Sequence, residues 1–169
     1  MSIIREHKFR KKWGQNFLTD NNLLDKIVRT VAPNKNDSIL EIGPGGGALS
    51  RKTIDLVKEM VAVEVDPLLV KYLNSLPELE KLKIVEGDIL KKKISKLDLS
   101  LPVRIIGNIP YNITSLIIFW LIEQRSYWKD AFIMMQKEVA DRIIANVGTK
   151  GYGRLTVVIG AYLNSKYAF

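Results

Sequence analysis

The sequence has no cysteine in 169 residues and only one histidine, His7, which lies in a basic tail. The first absence excludes disulfides and thiolate–metal sites. The second excludes a histidine-rich metal site and argues against histidine-based catalysis. No apolar run approaches the roughly 20 residues that span a membrane. The first dozen residues are basic, but they lack the apolar stretch of a signal peptide. The expectation is a reduced, cytoplasmic chain with no membrane and no metal. Acidic residues are also in short supply: 18 Asp and Glu face 26 Lys and Arg, for a net charge of +8. That excess favours a polyanionic partner, nucleic acid first and an anionic membrane second. The apolar share of 47% suits a globular protein of one domain, or one and part of a second. There is no internal repeat, low-complexity segment or linker.

What is present is organised around Glu41-Ile42-Gly43-Pro44-Gly45-Gly46-Gly47. An apolar run, Ser38-Ile39-Leu40, leads into it, and a helix-compatible stretch follows from Ala48. Strand, glycine turn and helix make a nucleotide-binding crossover. Gly43, Gly45 and Gly47 leave the backbone bare, so an adenosine-type ligand can approach closely. Glycine-rich turns of this kind also occur without a ligand.

Before this turn, residues 1–13 form a basic arm, with Phe9 and Trp13 among Arg5, Lys8, Arg10, Lys11 and Lys12. The cations can neutralise phosphates and the aromatics can stack on bases; a solvated terminus has the same composition. Gly14-Gln15-Asn16-Phe17-Leu18 follows, and Thr19-Asp20 offers a helix cap. Leu23, Leu24, Ile27, Val28 and Val31 then share one helical face ahead of Pro33.

Beyond the turn, strands are predicted near 38–42, 60–65, 82–85, 102–107 and 131–135. Helices are predicted around Leu49–Leu56, Leu68–Leu76, Leu116–Leu121, Val139–Ile144 and Leu155–Leu163, and an extended segment from Lys166. Glu64 ends the second strand about 20 residues after the glycines, where a carboxylate can accept ribose hydroxyls; an ordinary charge before the next helix is the other reading. Asp88 follows the third strand. It could accept an exocyclic amine or cap the next turn, and the cap is the simpler reading. Lys91-Lys92-Lys93 and Lys96 read as a solvated face. Asn108-Ile109-Pro110-Tyr111-Asn112 ends the fourth strand. A doubly wound, mostly parallel α/β sheet would bring all four groups to one edge.

In this order the groups resemble a known family. Gln15-Asn16-Phe17-Leu18, the Glu41–Gly47 turn and Asn108–Asn112 are similar to the motifs of the KsgA-type small-subunit (16S) rRNA adenine N6,N6-dimethyltransferases. The antibiotic-resistance rRNA adenine methyltransferases share these three blocks. Gln136–Arg142 and Tyr152–Leu155 resemble the KsgA branch more. The resemblance implies a Rossmann-like class I methyltransferase domain over 14–169, using S-adenosyl-L-methionine (SAM). Its partner would be small-subunit rRNA or the immature small ribosomal subunit, and the protein is expected to be a monomer. Gly43 and Gly45 would approach the ligand, Glu64 would hold its ribose, and Asp88 its adenine amine beside Ile89. Asn16 and Leu18 would close over the methionine end. Asn108 would lie between cofactor and substrate. The Asn108 side chain and the Ile109 carbonyl would hold the target amine, with Pro110 fixing the loop and Tyr111 stacking on the base. The family's last sheet strands and its C-terminal helical domain have no counterpart in these 169 residues.

Two other readings use the same residues. Gly43-x-Gly45-x-x-Ala48 with Glu64 also matches a nicotinamide-dinucleotide fingerprint, but that leaves Gln15–Leu18, Asp88 and Asn108–Tyr111 unexplained. A non-catalytic RNA-binding or ribosome-assembly factor fits the charge equally well, yet would not need Asn108, Pro110 and Tyr111.

Overall fold

The computed structural model describes residues 18–169, so the basic arm, Gln15 and Asn16 lie outside the described residues. Asp20 begins the ordered helices. Its carboxylate accepts from the Asn22 and Leu23 N–H groups (2.9 and 3.2 Å), capping α1 (Asn21–Val31). Leu24, Ile27 and Val31 form the buried face of α1, which ends at Ala32 in a left-handed conformation before Pro33.

The chain then alternates: β1 (Ser38–Ile42), α2 (Ala48–Thr53), β2 (Glu59–Glu64), α3 (Pro67–Asn74), β3 (Lys83–Glu86), β4 (Val103–Asn108), α4 (Thr114–Glu123), β5 (Trp128–Met134), α5 (Lys137–Ile143) and α6 (Arg154–Tyr162). The five strands are parallel in the order β3-β2-β1-β4-β5. This is the doubly wound sheet expected from the sequence, with the order reversing between β1 and β4.

Every residue of β1 is buried, as expected of a strand covered on both faces. Ile39, Met60, Ala62 and Ile106 pack with α1, α2 and α3. Leu40, Ile42, Val61, Val63 and Ile105 pack with Ile117, Trp120 and Leu121 of α4, and with Ile89, Ile94 and Leu97. A smaller cluster joins Ile118 and Ile122 of α4 to Ile159 of α6.

Several boundaries differ from the sequence reading. β5 begins at Trp128 rather than Ala131, because its pairing to β4 carries a register shift at Val103/Arg104. Leu56 falls in a short 3-10 turn and is exposed, not on a buried helical face. Two 3-10 turns, Ile89–Lys91 and Ile94–Lys96, cross from β3 to β4. Residues 163–169 take no regular structure, so the extended segment expected from Lys166 does not pair as a strand.

Arg104 closes the end of the sheet away from the loops of interest. All five of its N–H groups find acceptors. They are the two Asp130 carboxylate oxygens (2.9 and 3.0 Å), Asp37 Oδ2 (2.9 Å), and the Val31 and Ala32 carbonyls (2.8 and 3.3 Å). Burial alone would raise the Asp37 carboxyl. Hydrogen bonds from Arg104 and the Asn34 N–H, together with the guanidinium charge, hold it below its ordinary value instead.

Glu41 is the one acid inside β1. It is buried, and the Ser50 hydroxyl of α2 donates to it at 2.5 Å. That bond ties the two ends of the glycine turn together. Burial pushes the Glu41 carboxyl up to about 7; the Ser50 bond opposes this and the Glu64 charge adds to it.

Two outcomes follow. Arg104→Ala leaves Asp37 buried without its cation, and is expected to cost about 3–5 kcal/mol in urea unfolding; a loss under about 1 kcal/mol would contradict the network's role. For Glu41 the folded state binds its proton more tightly than the unfolded state. Stability should therefore be fully present below pH ~4.5 and fall by up to about 3 kcal/mol as pH rises through ~7. Glu59, held down to about 2 chiefly by the Ser38 hydroxyl and the Ser100 N–H, acts in the opposite sense and below that window. Glu41→Gln should flatten the slope above pH ~4.5 and raise stability at pH 8. An unchanged slope would assign the titration elsewhere.

Candidate active site

The carboxyl ends of the parallel strands lie along one edge, and those of β1 to β4 each carry one of the predicted groups. After β1, Gly43, Gly45 and Gly47 all adopt positive φ (67°, 57° and 77°). The conformation itself demands glycine at Gly43: a Cβ there would meet nothing within 4 Å, so the space over this residue is open. The Gly43 N–H donates to the Val63 carbonyl at 3.0 Å, which anchors the turn to β2.

Glu64 ends β2 and is buried. Its Oε1 accepts from the Val65 and Asp66 N–H groups (2.9 and 3.0 Å), and its Oε2 accepts from Gly45 N–H at 3.1 Å. The carboxylate therefore holds the glycine turn against the end of β2. Burial raises the Glu64 carboxyl, and the three backbone N–H groups oppose that rise. Glu64 is not the cap of the following helix. Asp66 is, accepting from Leu68 N–H at 3.0 Å ahead of Pro67. Of three acceptor-rich lone-pair directions already filled, none is the second on Oε2, which remains for a ligand hydroxyl.

Asp88 follows β3. It caps the 3-10 turn 89–91, accepting from Leu90 N–H at 3.0 Å, so the simpler of its two readings holds in this structure. One bond leaves its carboxylate further acceptor capacity. Ile89 is buried in the core beneath it, beside Ile42 and Val63.

Asn108 ends β4, half-buried, in register with Met134 of β5. Ile109 is buried, and its N–H reaches the Met134 carbonyl at 3.4 Å. Pro110 has φ −60° and ψ 142°, and its carbonyl accepts from Thr114 Oγ1 at 3.2 Å and Ile113 N–H at 3.3 Å. The loop is thus pinned to the first turn of α4, with Tyr111 opening a short 3-10 turn. Leu18, expected over the ligand, is half-buried and packs against the cluster shared by α1, α2 and α3.

Two contributors were not assigned from sequence. Ser50 is fully buried and fixes Glu41; its signal was a small hydroxyl on the inward face of a short helix. Gly107 is the other. A Cβ there would stand 2.9 Å from the Ile42 carbonyl oxygen, so only glycine lets β4 lie this close to β1 just before Asn108. Among the described residues no cluster of three or more His, Asp or Glu could hold a metal. No described helix is long and apolar enough to cross a membrane.

Comparison with known proteins agrees with this edge. A family model described as ribosomal RNA adenine dimethylase matches residues 6–168. A protein named ribosomal RNA small subunit methyltransferase A from Chlorobium phaeobacteroides is 46% identical over 160 residues, covering 95% of this chain and 59% of the relative. Its namesake from Streptococcus thermophilus is 41% identical over 178 residues, covering 99% of this chain and 61% of the relative. The chain therefore spans about three fifths of the length of these curated relatives. The crystal structure of a dimethyladenosine transferase from Plasmodium falciparum superposes with a TM-score of 0.75 at 35% identity, over 86% of this chain and 52% of that one. The fold is that of the class I methyltransferases, and this chain belongs to the ribosomal RNA adenine dimethylase family.

Proposed function

We propose that this chain is the cofactor-binding and catalytic domain, over residues 14–169, of an enzyme that dimethylates N6 of adenines in small-subunit rRNA, acting as a monomer in the cytoplasm. One observation carries the reading most: the glycine turn, Glu64, Asp88 and Asn108 stand at the carboxyl ends of four parallel strands, and the glycine turn and the Asn108 loop leave the adjacent strands β1 and β4, where the order reverses. The names of the relatives supply the substrate class.

The residues fit SAM. The open space over Gly43 admits the ligand next to the backbone. Oε2 of Glu64 accepts one ribose hydroxyl. A second must replace an N–H donor, and the Gly45 N–H at 3.1 Å is the longest of the three. Asp88 accepts the adenine amine through the oxygen that does not cap its turn. When bound, SAM supplies a methyl group already activated by a sulfonium, so the protein's task is mainly orientation. The target amine is a weak nucleophile because its lone pair is delocalised into the ring. Acceptors on Asn108 and the Ile109 carbonyl hold its N–H groups and favour a more tetrahedral nitrogen. Pro110 restricts the loop that presents them. By the family motif, Tyr111 stacks on the extruded base, an interaction worth about 1–3 kcal/mol. Access requires a flipped or single-stranded adenine.

Asn108→Ala is expected to lower kcat for methyl transfer to immature small ribosomal subunits by at least ~100-fold, while SAM affinity changes only a few-fold. Labelled-methyl incorporation and calorimetry check the two halves. Undiminished transfer would remove Asn108 from the mechanism. Heat from NAD in place of SAM would overturn the methyltransferase reading. SAM binding without transfer by the unaltered protein would favour an assembly factor.

A further inference from the structure

The lysine run between β3 and β4 is exposed, as its composition suggests, but it is built on a fixed backbone. Just before it, Lys81 pairs with Asp55 and Lys83 with Asp98. Among the described residues, Lys91, Lys92, Lys93 and Lys96 form no ion pair within the molecule. Four cations within six positions repel one another unless an anion joins them.

Their backbone is nonetheless held firmly. The Lys91 N–H donates to the Asp88 carbonyl, the Lys92 N–H to the Ile89 carbonyl and the Lys96 N–H to the Lys93 carbonyl, at 2.9–3.0 Å. Ile89, Ile94 and Leu97 anchor the segment in the core. Trp120 of α4 and Gln124, the residue that caps its end, grip it from the other side: Trp120 Nε1 donates to the Lys92 carbonyl at 2.9 Å, and Gln124 Oε1 accepts from Ile94 N–H at 3.1 Å. Lys91, Lys93 and Lys96 are exposed between these anchors. Lys92 folds back over Gly87, where a Cβ would stand 2.9 Å from its Cε and 3.1 Å from its Nζ. The run therefore starts beside Asp88 and descends along α4, with Lys92 against Trp120 and Ile94 against Gln124 at the end of the helix away from the Asn108–Tyr111 loop.

We propose that Lys91, Lys93 and Lys96 form a preorganised ledge for RNA phosphates, running from the β3 end of the candidate site down the flank of α4. This rests on the reading of the substrate as RNA. The ledge bears charge without base-reading side chains, so it takes the sugar–phosphate backbone and not a sequence. The ordered backbone means that only the side chains lose freedom on binding.

The test compares two triple variants of the intact protein. One is Lys91→Gln, Lys93→Gln, Lys96→Gln. The charge-matched control is Lys58→Gln, Lys71→Gln, Lys81→Gln. Filter binding of naked small-subunit rRNA is titrated with salt, SAM affinity is measured by calorimetry, and methyl transfer is followed with immature subunits. The ledge variant should bind rRNA at least ~10-fold more weakly near 0.1 M salt, with a salt slope shallower by about 2. KM for subunits should rise while SAM affinity and kcat hold. Equal affinity and slope in the two variants would overturn the ledge. So would undiminished rRNA binding together with lost binding to phosphatidylglycerol vesicles, which would assign the lysines to a membrane. If the unaltered protein binds rRNA but transfers no methyl group, the proposed function fails while the slope comparison still decides the ledge.

Discussion

The seam between β1 and β4 is the constraint on which the rest depends. The strand order reverses there, and the two loops that matter leave from its upper end. Each end of the seam is closed by a different means. At the lower end, Arg104 of β4 pairs in register with Ile39 and spends all five N–H groups on Asp37, Asp130 and the last carbonyls of α1. At the upper end, Gly107 lies opposite Ile42 and has no side chain to hold the strands apart. Ion pairing resists sliding at one end, and close backbone contact sets the distance at the other. Asn108 and Gly43 are the next residues on each strand, so their separation follows from the register.

Two buried carboxylates organise the edge above that seam, and they are satisfied differently. Glu64 accepts three backbone N–H groups, whereas Glu41 has one hydroxyl. Burial raises both carboxyls, and the Glu64 charge raises Glu41 further. Two acids this close to a glycine turn do little for stability at neutral pH. Their cost is easier to understand if the turn meets a cation. A ligand carrying a sulfonium and an ammonium would favour the ionised carboxylates that burial disfavours. A nicotinamide dinucleotide brings two phosphate charges to the turn and would not.

Much of the architecture was readable because a parallel sheet is a simple pattern. Five apolar runs, four of them followed by a helical period, permit few arrangements, and those arrangements bring the groups at their ends to one edge. Glu64 and Asn108 stand where the spacing put them. The unread parts are those where one residue's role depends on a distant partner. Arg104 sits within an apolar strand, and nothing local marks Asp37 and Asp130 as its partners. Gly107 looked like an ordinary strand end, since its need to be glycine comes from a carbonyl 65 positions earlier in the chain. The start of β5 was misjudged because its first pair, Trp128 with Val103, is separated from the next, Asp130 with Arg104, by an extra residue, Lys129, that interrupts the strand's pattern.

Asp88 shows why two readings of one residue need not compete. Capping uses one carboxylate oxygen and aims the group by fixing its backbone. An acceptor held in this way loses little freedom when a second donor arrives. The same holds for Glu64, whose three N–H donors orient it without filling every lone pair. At this edge the ordinary structural task of a side chain is what preorganises it for a ligand. A structural role found at Asp88 or Glu64 is therefore no argument against a binding role. In the Asn108–Tyr111 loop the backbone does the same work: the Pro110 carbonyl accepts from Thr114 Oγ1 and fixes the loop against the first turn of α4.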